Sequence, residues 1–324
     1  MRKVSVGVLL LVTVAACASA TSKTQPSAPA SPSKPDAAAT QKPPAGKPQP
    51  AAPATPPAAT TPAAPKAQIA TAPDGTKIAF EVTGTGPALL LVHGGGQTRR
   101  SWNQLGYVDR LSKRFTVITF DMRGIGESEK PLTPDAYALD RLLADFLAVA
   151  DAAKAKRFLL YGFGQGATVG RYLAARSDRV IAAVLVGTTM GPTVTGVFKD
   201  AIVGMRAKWK PVVDAHVAGK LDLAKLPAND RAAWEGGMAV TVLSLSALLD
   251  YPALEPAEIK APTLWAVGAD DSAMENVKSY EGKLAGTQVT LKVLQSVNYS
   301  DSFVKMEQVV TDVEPFLIKA AGGT

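Results

Sequence analysis

The 324-residue chain holds few side chains able to do chemistry at neutral pH: one Cys (Cys17), two His (His93 and His216), and an Asp pair, Asp270-Asp271, that follows a short apolar run. A single thiol excludes a disulfide framework and a Cys-built zinc site, because both need several sulfurs. Two imidazoles exclude a three-His metal centre, so no metal and no cofactor is expected. A mechanism that needs a His base must use His93 or His216. Three glycine-rich turns complete the set: His93-Gly94-Gly95-Gly96, the stretch Asp121-Met122-Arg123-Gly124-Ile125-Gly126-Glu127-Ser128, and Gly162-Phe163-Gly164-Gln165-Gly166. Each follows an apolar run, where glycine lets the backbone turn sharply.

The elements that must position these residues lie beyond Ala67, where all nine Phe and all four Trp are found. The remaining 258 residues suit one large domain. Apolar runs predict strands over Thr76–Val82, Ala88–His93, Phe115–Phe120, Arg157–Gly162, Val180–Gly187, Thr263–Gly268 and Val289–Leu294. Longer periodic stretches predict helices over Pro134–Lys154, Gly166–Arg176 and Phe303–Ala320. Continuous apolar runs separated by helices imply an α/β fold with a mostly parallel sheet covered on both faces. From about 190 to 259 the alternation lapses into helix-like sequence, as an inserted helical cap would.

The three turns, in this order and at these separations, resemble the α/β-hydrolase fold family, in its esterase and haloperoxidase-like branch, across essentially all of residues 67–324. His93-Gly94-Gly95-Gly96, with Trp102 further on, is similar to the HG loop whose backbone helps form the family's oxyanion hole. Asp121 to Ser128 is similar to the D-x-R-G-x-G-x-S loop. Leu159 to Gly166 is similar to the strand, turn and helix of the nucleophile elbow, G-x-S-x-G, but Gly164 stands where the family carries Ser, Asp or Cys. Ala261 to Asp271 resembles the strand and turn bearing the family's acid, with Asp271 the better match and Asp270 the alternative. The base is expected after the last strand, in Gln295 to Ser302, where Tyr299 takes the place of the usual His. No His lies beyond His216.

On this resemblance the vestigial triad positions are Gly164, Asp271 and Tyr299, with none intact, and the oxyanion or ligand-binding set is His93, Gly94, Gly95 and Gln165. The backbone donors are expected from Gly95 and Gln165, and His93 is expected to shape the loop. Acyl transfer by a Ser enzyme needs a nucleophile, a base of near-neutral pKa and an orienting carboxylate. Glycine supplies no nucleophile. With an unperturbed pKa near 10, only about 0.1% of a tyrosine is phenolate at pH 7. Glycine does relieve the strained backbone that an elbow imposes, which costs a residue with a Cβ about 1 to 3 kcal/mol. These substitutions suit a binding protein with a lidded, largely apolar pocket above Gly164, taking a small apolar or carbonyl-containing ligand or a protein partner of unknown identity. The alternative is an enzyme with a non-standard site, esterase-like, lyase or isomerase, using Asp271 and Tyr299. A structural envelope role is a further one.

Other features carry less. The glycines of 162–166 resemble a dinucleotide fingerprint, but the G-x-G-x-x-G spacing is not met and no acidic residue for a ribose ends the next strand. His216 is expected to be a solvated cap residue. Lys199, Arg206, Lys208 and Lys210 are expected to form a solvated helix face rather than a lipid-binding one.

The N-terminus reads Met-Arg-Lys, then an apolar run from Val4 to Ala16 that is too short to span a membrane as a helix, as in a secretory signal. Val14-Ala15-Ala16-Cys17 resembles a bacterial lipobox, so residues 1–17 are expected to be a lipoprotein-type signal with lipidation at Cys17. Cleavage after Ala18-Ser19-Ala20 is the alternative. Residues 18–66 contain 13 Pro and 15 Ala and no aromatic residue, and are expected to be a disordered tether. This implies an exported protein of the cell envelope, attached to the membrane by lipid and matching an outer-membrane lipoprotein. Six of the seven net positive charges lie before Ala67, so the folded part, at +1, lacks the clustered cations a nucleic acid needs.

Overall fold

The computed structural model describes residues 67–322. The expected signal segment 1–17 with Cys17, and the expected tether 18–66, lie outside the described residues. The strands are β1 (Gln68–Thr71), β2 (Lys77–Thr83), β3 (Ala88–Val92), β4 (Thr116–Phe120), β5 (Phe158–Phe163), β6 (Val180–Val186), β7 (Thr263–Gly268) and β8 (Val289–Leu294). They form one sheet in the order β1-β2-β4-β3-β5-β6-β7-β8. The β1–β2 and β2–β4 pairings are antiparallel, and every pairing from β4 to β8 is parallel.

Burial explains why the central strands read as unbroken apolar runs. All six residues of β5 and of β7 are buried, because helices cover both faces. The period of two still sorts side chains between the faces. Leu90 and Val92 of β3 join one core cluster, with Leu142, Phe146 and Tyr172, whereas Leu89 and Leu91 join the other, with Trp102, Phe303 and Val313. The helices are α1 (Arg99–Gln104), α2 (Tyr107–Leu111), α3 (Leu139–Ala152), α4 (Gln165–Arg176), α5 (Gly196–Val217), α6 (Ala228–Ala233), α7 (Ala239–Ala247), α8 (Met274–Tyr280), α9 (Asp301–Val304) and α10 (Met306–Ala320). In α3, Leu139, Leu142, Leu143, Phe146, Val149 and Ala150 make the buried stripe of an amphipathic helix.

Helices α5 to α7 form the cap between β6 and β7. The span Ala228–Asp250 is long and apolar enough, by composition alone, to cross a membrane. Gly237, at φ 102°, breaks it, and Trp234 within it stacks on Trp209 of α5 with ring centroids 5.9 Å apart, so it belongs to the cap. His216, half-buried in α5, tilts against Trp234 with ring centroids 5.8 Å apart, so its ring packs within the cap. Among the cationic group on α5, Arg206 pairs with Asp250, Lys208 with Asp230 and Lys210 with Asp214, which neutralises the expected basic face in large part.

Candidate functional site

The glycine-rich turns and both acid and base candidates follow parallel strands or their neighbours, so all sit at the carboxyl edge of the sheet, where open α/β sheets place ligands. Between β5 and α4 the chain reverses at Gly164, whose φ of 51° and ψ of −116° are unfavourable for any residue with a side chain. Its N–H donates to Val186 O (2.9 Å), and its carbonyl accepts from the Thr168 N–H (2.9 Å) and hydroxyl (3.0 Å). Gly166 permits the tight packing behind the turn: a Cβ there would collide with the carbonyl oxygens of Val92 and His93.

The HG loop is built around His93, which is fully buried. Met122 N–H donates to Nε2 (3.1 Å), which leaves Nδ1–H to donate to Gly94 O (2.8 Å). Burial favours the neutral ring and pushes its pKa down, against the pull of the Gly94 carbonyl and Asp121. With both nitrogens engaged, His93 braces two loops and offers nothing to a ligand. Gly94 is corrected likewise, because its N–H donates to Gln97 Oε1 (2.9 Å). The N–H groups of Gly95 and Gln165 donate to no acceptor among the described residues, and they remain the two free donors beside Gly164.

Behind this loop, Asp121 is wholly buried. Its Oδ1 accepts from Arg99 N–H (2.7 Å), and its Oδ2 accepts from the Arg99 guanidinium and from Glu127 N–H (2.9 Å). Arg99, 1% exposed, also pairs with Glu81 (2.9 Å) and Glu127 (3.0 Å). Ser128 ties the loop to β2 by donating to Asp121 O (2.6 Å) and accepting from Ala79 N–H (2.9 Å). Arg123 reaches the other way, to Asp145 (2.6 Å) and Asp74 (2.9 Å). Burial alone would raise the Asp74 carboxyl, but bonds from Arg123 and Thr76 overcome it and hold the pKa at about 2.

Asp271 is buried whereas Asp270 faces solvent, which separates the two acid candidates. Asp271 Oδ1 accepts from Ala273 N–H (2.9 Å), but Oδ2 has no partner among the described residues. Burial raises its pKa, opposed by the bonds from Ala273 and Ser272. Tyr299 follows β8, and its ring packs on Phe163 with centroids 5.2 Å apart. A Cβ built on Gly164 would lie inside van der Waals distance of Tyr299 Oη. The phenol therefore occupies the space into which an elbow nucleophile would project. Its hydroxyl makes no hydrogen bond among the described residues. Burial, and then the nearby Asp271 carboxylate, push its pKa up to about 12, so at pH 7 it is a phenol about a hundredfold less ionised than free tyrosine.

The structure thus brings Gly164, Tyr299 and the free donors of Gly95 and Gln165 together, with Asp271 beside Tyr299. The expected pocket above Gly164 is corrected by the same contact: the phenol fills that volume. Two surface clefts, of about 560 and 370 Å³, lie elsewhere, one beside Ile69, Pro73 and Leu147 and the other beside Leu105 and Met306. The direction of the Tyr299 side chain was invisible in the sequence, because it depends on two loops that meet only in three dimensions.

A family model described as alpha/beta hydrolase fold matches residues 87–218, from before β3 to the end of α5. An uncharacterized protein of Mycobacterium tuberculosis is 32% identical over 175 residues, covering 53% of this chain and 48% of that protein. Epoxide hydrolase 3 of Siraitia grosvenorii is 32% identical over 113 residues, 34% of this chain and 35% of that one. The chain spans about half or less of the length of these relatives. Among solved structures, a malate-bound thermophilic esterase from Thermogutta terrifontis superposes with a TM-score of 0.60 at 21% identity, covering 79% of this chain and 100% of that one. Epoxide hydrolase VrEH1 of Vigna radiata gives 0.59 at 19% identity, covering 78% and 98%. The motifs, the strand order and these matches together identify the chain as an α/β-hydrolase-fold protein.

Proposed function

We propose that this protein is a non-catalytic member of its fold, a pseudo-hydrolase that binds a small, partly apolar ligand with a carbonyl or carboxylate oxygen, or a protein partner. In this reading it is exported and held at the cell envelope by lipid on Cys17. The observation that carries the reading is the contact between Gly164 and the Tyr299 hydroxyl. Glycine offers no nucleophile there, and the space a side chain would take holds a group that stays protonated at physiological pH. The Gly95 and Gln165 N–H groups need no nucleophile to hold an oxygen atom.

The names of relatives, epoxide hydrolase and esterase, and the unpartnered Oδ2 of Asp271 favour a second reading, an enzyme that uses Asp271 and Tyr299 without an elbow nucleophile. One assay separates the two. The purified protein is offered short-chain aryl esters and epoxides, and is incubated with a Ser-directed fluorophosphonate probe. The binding reading expects no labelling and turnover below about 1 per second, the low end for ordinary enzymes. Turnover above that value which survives repurification, and which Asp271→Asn or Tyr299→Phe abolishes, overturns it in favour of the enzyme.

A further inference from the structure

Over the Gly164 turn, two kinds of structure could control access: the cap, and the loop after β8. They are held very differently. The cap joins the core through two necks, residues 188–195 and 250–256, and these are zipped to each other. Gly191 N–H donates to Leu254 O (2.9 Å) and Leu254 N–H returns to Gly191 O (3.1 Å). Two wholly buried neighbours on α4 then clasp both necks. Arg171 donates to Thr189 O (2.7 Å) and Thr193 Oγ1 (3.0 Å), and only its Nε lacks a partner. Tyr172 donates to Pro252 O (2.5 Å) and shares Thr193 Oγ1 (2.7 Å). Asn276 adds a paired contact to Met190, accepting from its N–H (2.9 Å) and donating to its carbonyl (3.0 Å). Swinging the cap away would strand several of these buried polar groups, each at about 1 to 3 kcal/mol.

Tyr299 presents the opposite case. Its backbone is pinned: the carbonyl accepts from Ser302 Oγ (2.6 Å), Asn298 O accepts from Ser302 N–H (3.0 Å), and Asn298 Oδ1 accepts from Asp301 N–H (2.9 Å). Its side chain is not. The residue is 39% exposed although its hydroxyl end is buried over Gly164, its hydroxyl has no hydrogen-bond partner among the described residues, and its ring rests on the tilted ring of Phe163 and on Gly187. Such an aromatic pair is worth about 0.5 to 1.5 kcal/mol beyond its buried area.

We propose that the Tyr299 side chain is the gate of the Gly164 site, and that the cap is a fixed wall. Rotation of one phenol, with the loop backbone in place, uncovers Gly164 and the Gly95 and Gln165 N–H groups to a ligand. This rests on the binding reading for its purpose, but its test uses no ligand.

In full-length protein carrying Cys17→Ser and Gly164→Cys, the introduced thiol is the only one, and its reaction rate with methyl methanethiosulfonate reports access to the turn. Tyr299→Phe keeps a ring whose Cζ stands 3.5 Å from the Cβ position, an ordinary contact, so the cover remains. Tyr299→Ala removes the cover. The expected result is a rate at least tenfold higher with Tyr299→Ala than with Tyr299→Phe. Loosening the clasp by Tyr172→Phe, or more severely by Arg171→Met, is expected to raise amide exchange over 189–195 and 250–256 while changing the thiol rate less than twofold. Equal rates for the two Tyr299 variants would overturn the gate. A tenfold rise on loosening the clasp would transfer its role to the cap. The ester and fluorophosphonate assay has no bearing on these rates, so failure of the gate and failure of the binding reading are read separately.

Discussion

The loops after β3 and β4 and the loops after β7 and β8 flank the Gly164 turn on opposite sides, since β5 lies between those strand pairs in the sheet. On the first side, the buried charges are fully answered. Both oxygens of Asp121 accept hydrogen bonds, Arg99 spans three carboxylates, and both His93 nitrogens are used. On the second side, among the described residues, Asp271 keeps a buried carboxylate with one oxygen unanswered, and Tyr299 carries a hydroxyl with no hydrogen-bond partner. A network that braces the fold is retained by stability alone. On the second side no such support exists, because a tyrosine has a single polar atom, and here that atom lies over Gly164 and makes no hydrogen bond to Asp271. The difference separates a side held by its own hydrogen bonds from a side held by packing alone.

The largest loss of stability is expected on the braced side. Arg99→Met removes the only cation paired with the buried Asp121 and Glu81 among the described residues and leaves two carboxylates uncompensated. Removing one partner of a buried pair costs about 3 to 5 kcal/mol, so denaturant unfolding should show a loss of that size. A loss below about 1 kcal/mol would mean that water already reaches Asp121, and the contrast between the two sides would fall.

On the other side the sign reverses. The Asp271 pKa is raised by burial, so its ionised form costs the folded state stability above the unfolded carboxylate pKa, and that cost disappears as pH falls and both states become protonated. Asp271→Asn should therefore be neutral or stabilising at pH 7, by about 1 kcal/mol, with a smaller gain at pH 4 and none once pH lies well below the unfolded carboxylate pKa of about 3.9. Thermal melts at the two pH values check this. A destabilisation at pH 7 would show that the carboxylate is answered after all.

Much of this architecture was legible in the sequence. The β3 and β5 runs are apolar throughout and β7 is apolar after Thr263, because both faces are covered, and the glycine or acidic turns follow them directly. β1 was missed because Gln68–Thr71 is a four-residue edge strand with Ala70 its one buried residue. α1 and α2 are too short for a helical period to show, and α8 of seven residues has only Val277 and Tyr280 buried. Gly164 and Tyr299 stood out as departures from a motif, but their mutual contact was hidden. It joins residues 135 positions apart through a side-chain rotamer, and no local pattern encodes that. The spent N–H of Gly94 was hidden for the same reason, since it depends on where the Gln97 side chain turns.

The smallest effect is the sharpest probe of the contact itself. Gly164→Ala adds one carbon where Tyr299 Oη already stands, and it also forces a Cβ onto a φ of 51°. In a Tyr299→Phe background the backbone strain is unchanged, but the nearest ring atom is Cζ at 3.5 Å, so the collision is gone. The difference between the two costs isolates the collision. It cannot exceed the free energy of rotating the phenol out of the way, because the side chain would take that route first. With no hydrogen bond to the hydroxyl among the described residues, that ceiling is about 0.5 to 1.5 kcal/mol from the Phe163 pair plus about 1 kcal/mol for the apolar area the ring gives up. A coupling of this size in urea unfolding would measure how firmly the gate is closed. Additivity within about 0.3 kcal/mol would place the phenol outside the turn in solution, and a coupling above about 3 kcal/mol would mean that Tyr299 is locked and no gate at all.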